Sequence, residues 1–243
     1  MKDPRHVILL RRVDSTSAYI KRRRRFLRDR TFVTARSQTA GHGRRGRSWE
    51  SAPGQNLLFS VYLEDETLVK QFERLSLFSA LAVIRVLSEY SVENLSLKWP
   101  NDVYADGRKI CGILLEGITE DEKLKSVVIG IGVNVNQSVF GPDKRREPTS
   151  VFLETGKKAK LGRIRRRAFC ELLQIFEEIK KGDDSLIKEA QSLDFLSGKD
   201  VLAEIGGETR EVQVVGIEPD CTLRVNCDGQ ETRLNSGEIS FHI

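Results

Sequence analysis

Apolar residues recur along this chain with two periods, and the change between them divides it. Before about residue 195, short apolar runs alternate with segments whose apolar positions repeat every three or four residues; beyond it only short alternating stretches follow. Residues 7–10 read as a strand. Asp14, Ser15, Thr16 and Ser17 are short oxygen side chains suited to cap a helix over 18 to about 27. Strands follow at 32–36 and 57–63, separated by a glycine-rich stretch and a turn at Ala52-Pro53-Gly54-Gln55. Residues 71–90 are apolar on most sides (Leu75, Phe78, Leu81, Ala82, Ile84, Leu87), which predicts a largely buried helix.

Strands are next expected at 95–98, 103–104 and 109–116. Pro100 ends regular pairing after the first, and Asp106-Gly107 marks a hairpin between the other two. Residues 126–135 form a long β-branched run in which Gly130 and Gly132 leave one sheet face open to something packed closely on it. The polar stretch 137–148, with Lys144, Arg145 and Arg146 together, reads as a long mobile loop. An amphipathic helix over 163–181 is stopped by Gly182, and a shorter helix covers about 185–193. From 199 to 243, short strands are punctuated by Gly206-Gly207, Pro219-Asp220, Asp228-Gly229 and Asn235-Ser236-Gly237, which predicts a small all-β barrel. The boundary falls within 192–198.

Composition narrows the function classes. A chain of 243 residues, 39% hydrophobic and 31% charged, suits a globular protein with a substantial core. No apolar run approaches a membrane span, and the opening M-K-D-P-R-H lacks the apolar region of a secretory signal, so a cytoplasmic location is expected. The four cysteines show no metal-like spacing with the three histidines; Cys111 and Cys170 sit in apolar patterns as reduced, buried thiols. The net charge of +5 is unevenly spread, with basic runs at 21–25 and 163–167. On helices such runs are solvated faces or contacts for an acidic partner, nucleic acid or protein.

The chemistry concentrates in Q-T-A-G-H-G-R-R-G-R-S-W, residues 38–49. Glycine lets the backbone approach a ligand and present a concave row of N–H groups to an anion. Arginine adds a planar fork of donors matched to carboxylate or phosphate. The run is neither a P-loop nor a dinucleotide fingerprint; disordered RNA-binding segments, exposed basic loops and import patches share its composition. Polar clusters at 14–17, 99–102 and 130–136 also stand at strand ends, where ligands of open sheets bind. Lys109, opening an otherwise apolar strand, either points a charge into the mouth of the sheet or ends a hairpin in solvent.

In order and spacing, D-S-T-S, the glycine-arginine run, K-W-P-N-D at 98–102, R-K-I-C-G-I-L-L-E at 108–116 and I-G-I-G-V-N-V-N at 129–136 resemble the biotin–protein ligases, also called biotin–[acetyl-CoA-carboxylase] ligases. Each motif alone is weak; together they are specific, and the likeness covers nearly the whole chain. It implies an α/β (α+β) catalytic domain, 1–195, with a mixed sheet packed by helices, and an SH3-like β-barrel domain, 196–243. It also implies a two-step reaction with ATP and Mg²⁺: biotin is activated to biotinyl-5′-AMP, then passed to a lysine of a biotin carboxyl carrier protein. Ser15, Thr16 and Gln38 would hold biotin's ureido head, with Ser17 and His42 beside them. Gly112 and Ile113 would line its bicycle, and Gly43 and Arg44 would close over its carboxylate and the adenylate phosphate. Lys109 would bridge carboxylate and α-phosphate, sharing the catalytic role with Arg44. Arg45, Arg47, Trp49, Asn101, Asp102 and Asn134 fall on the nucleotide side, with Asp102 toward Mg²⁺; Phe140 is an adenine-stacking partner or a loop anchor.

The likeness is not complete. His42 stands where the family often has arginine, and Ser17 where it often has asparagine. Some members begin with a helix-turn-helix domain; here the catalytic pattern starts by Val7, so no operator binding is expected, nor any membrane association. Homodimerisation through a sheet edge is common in the family. Two competing readings are a lipoate ligase, which shares fold and adenylation chemistry, and a basic nucleic-acid-binding module.

Overall fold

The expected strands gather into two sheets. In the computed structural model, which describes residues 4, 6–141, 148–182, 184–205, 208–235 and 241–242, the first sheet comprises β1 (Val7–Leu10), β2 (Thr31–Ala35), β3 (Leu57–Leu63), β4 (Leu95–Lys98), β5 (Asp102–Ala105), β6 (Arg108–Glu120) and β7 (Lys123–Val133). Their order is β1-β2-β3-β7-β6-β5-β4, with β1 parallel to β2 and every other pair antiparallel. The second sheet, the expected SH3-like unit, is antiparallel in the order β11-β10-β9-β8-β12, from β8 (Asp200–Ile205), β9 (Glu208–Ile217), β10 (Leu223–Cys227), β11 (Gln230–Leu234) and β12 (Phe241–His242). The basic cluster 144–146, the Gly206-Gly207 turn and residues 236–237 lie outside the described residues.

Helices cover both faces of the first sheet. On one side α3 (Phe72–Ser88) and α5 (Leu161–Lys181) pack over β3, β7 and β6, and Phe169 of α5 stacks on Phe32 with ring centroids 4.3 Å apart. On the other lies α1 (Thr16–Arg23), whose Ile20 meets Val33, Tyr62 and Val128. Ser15 caps α1, so the helix begins two residues earlier than its apolar pattern suggests and brings Thr16 and Ser17 inside. Period-two alternation sorts β7: Val127, Ile129, Ile131 and Val133 face α3 and α5, while Val128, Gly130 and Gly132 face the α1 side.

Three features have no counterpart in the apolar pattern. The short helices α2 (Glu66–Val69) and α4 (Val151–Thr155) are set by polar caps, Asp65 and Ser150. The β6–β7 hairpin turns on Asp121 and Glu122, both at positive φ, without the glycine that usually marks such a turn. Between the sheets, α6 (Ser185–Ser192) leads to residues 193–195, which pair with Leu97 of β4 through hydrogen bonds of 2.7 and 2.9 Å. One continuous apolar core runs from α3 and α5 to Val201, Val214 and Leu223 of the second sheet.

Candidate functional site

On the α1 face the pairing register lines up two rows across β3, β7 and β6: Ser60–Gly130–Leu114 and Leu58–Gly132–Gly112. Three of these six positions are glycine, and the Ser17 hydroxyl and the Trp49 ring settle into the space they leave. A Cβ on Gly130 would stand 2.7 Å from Ser17 Oγ, one on Gly112 would stand 2.8 Å from the Trp49 ring, and one on Gly132 only 2.4 Å from that indole. The run of glycines is therefore the floor of a cavity of about 1110 Å³, above the roughly 300–1,000 Å³ of most single-ligand pockets. Ser15, Thr16, Ser17, Gln38, His42, Gly43, Arg44, Arg45, Arg47, Trp49, Asn101, Asp102, Lys109, Gly112, Ile113, Asn134 and Phe140 all line it.

Lys109 reaches this cavity through an irregularity in the strand. The β5–β6 register shifts so that Val103 pairs with Cys111 but Tyr104 pairs with Lys109, leaving Ile110 as an extra residue. In a regular strand Lys109 would share the buried face of Cys111; the bulge moves it to the face of Gly112, where a Cβ would lie 3.2 Å from Lys109 Nζ. The ammonium pairs with Asp102 at 2.7 Å and lies 5.7 Å from the centre of the Trp49 ring.

The glycine-arginine run is folded against this floor. Trp49 N–H donates to Gly41 at 2.9 Å and Gly43 N–H to Arg47 at 2.7 Å, while a single 3₁₀ turn spans Arg44–Gly46. Arg44 donates to Asn101 Oδ1 at 3.3 Å, and Asn101 Nδ2 donates to the Ile113 carbonyl at 2.7 Å. Burial lowers the pKa of Arg44 from its ordinary value; Asp102 opposes this, and the charges of Arg45 and Arg47 add to it. Like charges converging on one partly desolvated guanidinium create a site that favours an anion. His42 is exposed, and its Nδ1 must carry a proton because it donates to the Ala40 carbonyl at 2.9 Å.

At the opposite end of the floor, the buried hydroxyls of Thr16, Ser17 and Ser60 and the half-buried Gln38 form a hydroxyl-and-amide cluster. Asn134 is buried and donates to the Thr149 carbonyl at 3.0 Å, which ties the end of β7 to the segment before α4. Sequence reasoning missed Lys98 and Gln137, which also line the cavity, and Ser60, which is buried behind the wall and bonds Thr16 and Ser17. Ser60 and Gln137 lie outside the five motifs. Lys98 lies inside one but also ends an apolar strand, and it stands 5.4 Å from the Tyr104 ring centre.

The profile of the biotin/lipoate A/B protein ligase family matches residues 9–134, and that of the biotin protein ligase C-terminal domain matches 196–242. The bifunctional ligase/repressor BirA of Bacillus subtilis is 38% identical over 130 residues, 53% of this chain but only 40% of that protein's length. Its namesake in Salmonella typhimurium is 30% identical over 242 residues, 98% of this chain and 75% of that protein. Among solved structures, the Aquifex aeolicus biotin protein ligase in complex with biotin and ATP superimposes with a TM-score of 0.85 at 27% identity, covering 98% of both chains. By sequence and by fold, this chain belongs to the biotin/lipoate A/B protein ligase family and carries the C-terminal domain of the biotin protein ligases.

Proposed function

We propose that the chain is an ATP-dependent biotin–protein ligase that forms biotinyl-5′-AMP and passes the biotinyl group to a lysine of a carboxylase carrier domain. One observation carries the reading: a single cavity joins a hydroxyl-and-amide cluster to Lys109, Arg44, Asn101 and Asp102 across a glycine floor. The cluster suits a cyclic urea head, the floor a flat bicycle, and the cationic end a carboxylate meeting a triphosphate. In the first step a biotin carboxylate oxygen bonds to the α-phosphorus as the bond to pyrophosphate breaks. Two anions must approach, so Lys109 and Arg44 supply positive charge where negative charge collects. Asp102 holds Lys109 toward the cavity through their ion pair. The glycine-arginine run and Trp49 cover the reacting atoms and exclude water, which would hydrolyse the anhydride. In the second step a neutral carrier lysine attacks the anhydride carbonyl, forming the amide, releasing AMP and losing a proton.

Asp102 would meet Mg²⁺ carried by the triphosphate. No group of three acidic, His or Cys side chains placed to hold a metal ion stands among the described residues, and a single carboxylate fits an ion that keeps its waters and phosphate oxygens. Bound there, the ion would draw charge from the leaving pyrophosphate. We assign the catalytic unit to 1–195 and the second domain to 196–243. We place the enzyme in the cytoplasm with its carrier; among the described residues no helix is long and apolar enough to cross a membrane. Incubation with biotin, ATP–Mg²⁺ and a carrier domain should add one biotinyl group by mass spectrometry. Absence of both adenylate and modified carrier would overturn the reading.

A further inference from the structure

The hydrogens of the hydroxyl cluster can be assigned from valence alone. The backbone N–H of Thr16 lies 2.7 Å from one terminal atom of Gln38. A backbone N–H only donates, so that atom is the amide oxygen. Thr16 Oγ1 stands 3.0 Å from the same oxygen and must donate to it. With its one proton used, Thr16 accepts from Ser60 Oγ at 2.7 Å. Ser60 in turn accepts from Ser17 Oγ at 2.9 Å. The chain of donation therefore runs from Ser17 to Ser60 to Thr16 to Gln38, in that direction only.

This direction decides what the cavity offers. Ser17 spends its proton on Ser60 and has only lone pairs left to accept with. Gln38 has its oxygen occupied twice and is left with its NH₂ donors. Acceptors at Ser17 and donors at Gln38 complement the N–H and C=O groups of a cyclic urea; a dithiolane ring, which has neither, would leave both desolvated without partners. Ser60 is the pivot. It is fully buried on β3, and it is the one residue that bonds both Ser17 and Thr16 in this cluster. Gly130 makes room for the short Ser17 to reach it.

We infer that Ser60 is a positioning residue for substrate selection: by accepting from Ser17 and donating to Thr16, it sets the polarity of the wall that distinguishes a cyclic-urea acid from a dithiolane acid. The inference rests on the biotin-ligase reading and extends it to a residue outside the motifs. Its test is pyrophosphate release by the full chain and by Ser60→Ala and Ser60→Thr, with biotin, desthiobiotin (ureido ring kept, sulfur ring absent) and lipoate. In Ser60→Ala the KM for biotin and for desthiobiotin should rise about 10-fold, the loss of one net hydrogen bond. The KM for ATP and any turnover of lipoate should stay within about twofold, so that biotin selectivity falls. Ser60→Thr, which keeps the hydroxyl, should restore the KM for biotin. An unchanged KM for biotin in Ser60→Ala would overturn the inference, as would a parallel rise for ATP and lipoate without rescue by threonine. Failure of the unaltered chain to adenylate biotin would sink the functional reading itself and is separable from both.

Discussion

Lys109 and Arg44 bring positive charge to the cavity in different ways, and their loss should look different. Lys109 is a compact ammonium fixed by Asp102 at the end of a rigid strand. Lys109→Ala should therefore slow adenylate formation about 10²-fold or more, as for other electrostatic stabilisers; pyrophosphate release at saturating ATP measures it, and near-normal turnover would refute the role. Arg44 sits in the covering loop, where its link to Asn101 ties loop to floor. Arg44→Gly should loosen that cover, with adenylate escaping about 10-fold faster given what a charged hydrogen bond contributes. Labelling of bystander lysines on an added inert protein reports the leak; retention equal to the parent would count against the assignment. His42 is exposed and spends its Nδ1 proton on the Ala40 carbonyl, so it stiffens the loop's entry rather than adding a buried charge.

At the scale of elements, the glycine rows and the β6 bulge shape the cavity. Gly132→Ala would push a methyl into the Trp49 indole. We expect the ring to be displaced, the KM for biotin to rise about 10-fold, the far-UV spectrum to hold, and tryptophan emission to shift red, since Trp99 stays 2% exposed. Wild-type KM and emission would show that the indole stays in place and would refute the expected displacement. Most of these elements are legible in the sequence, because alternation and three-four periodicity report burial directly: β3 falls on its expected bounds, and α3 and α5 within two residues of theirs. Even the open face at Gly130 and Gly132 is readable. The bulge is not. One extra residue leaves composition and hydrophobicity untouched, yet it decides which face Lys109 occupies. Ser60 is hidden for a related reason: a lone serine inside L-L-F-S-V-Y-L looks like any strand residue until register sets it opposite Gly130. The turn at Asp121-Glu122 escapes because Glu122, no usual carrier of positive φ, stands where glycine normally follows the aspartate.

For the whole molecule, the two sheets share one apolar core, and a polar link runs beside it. The Trp99 indole N–H, inside the K-W-P-N-D turn, donates to the Cys221 carbonyl in the β9–β10 turn at 2.9 Å. Burial pushes the Cys221 thiol from 9.0 up to about 12, and that of Cys111 upward as well. The folded protein therefore holds thiol protons that the unfolded chain releases, so this stabilisation is complete below about pH 9 and declines as pH rises from about 9 toward 12. Melting temperature should fall over that alkaline range, less steeply in Cys221→Ala, and an equal slope in both would exclude this thiol as the cause. With no apolar break between the sheets, a ligand in the cavity is linked to the unfolding of both. At one hundred times its dissociation constant it adds about 2.7 kcal/mol to that shared transition. The SH3-like sheet, none of whose described residues lines the cavity, thereby becomes a thermodynamic reporter of whether the cavity is filled.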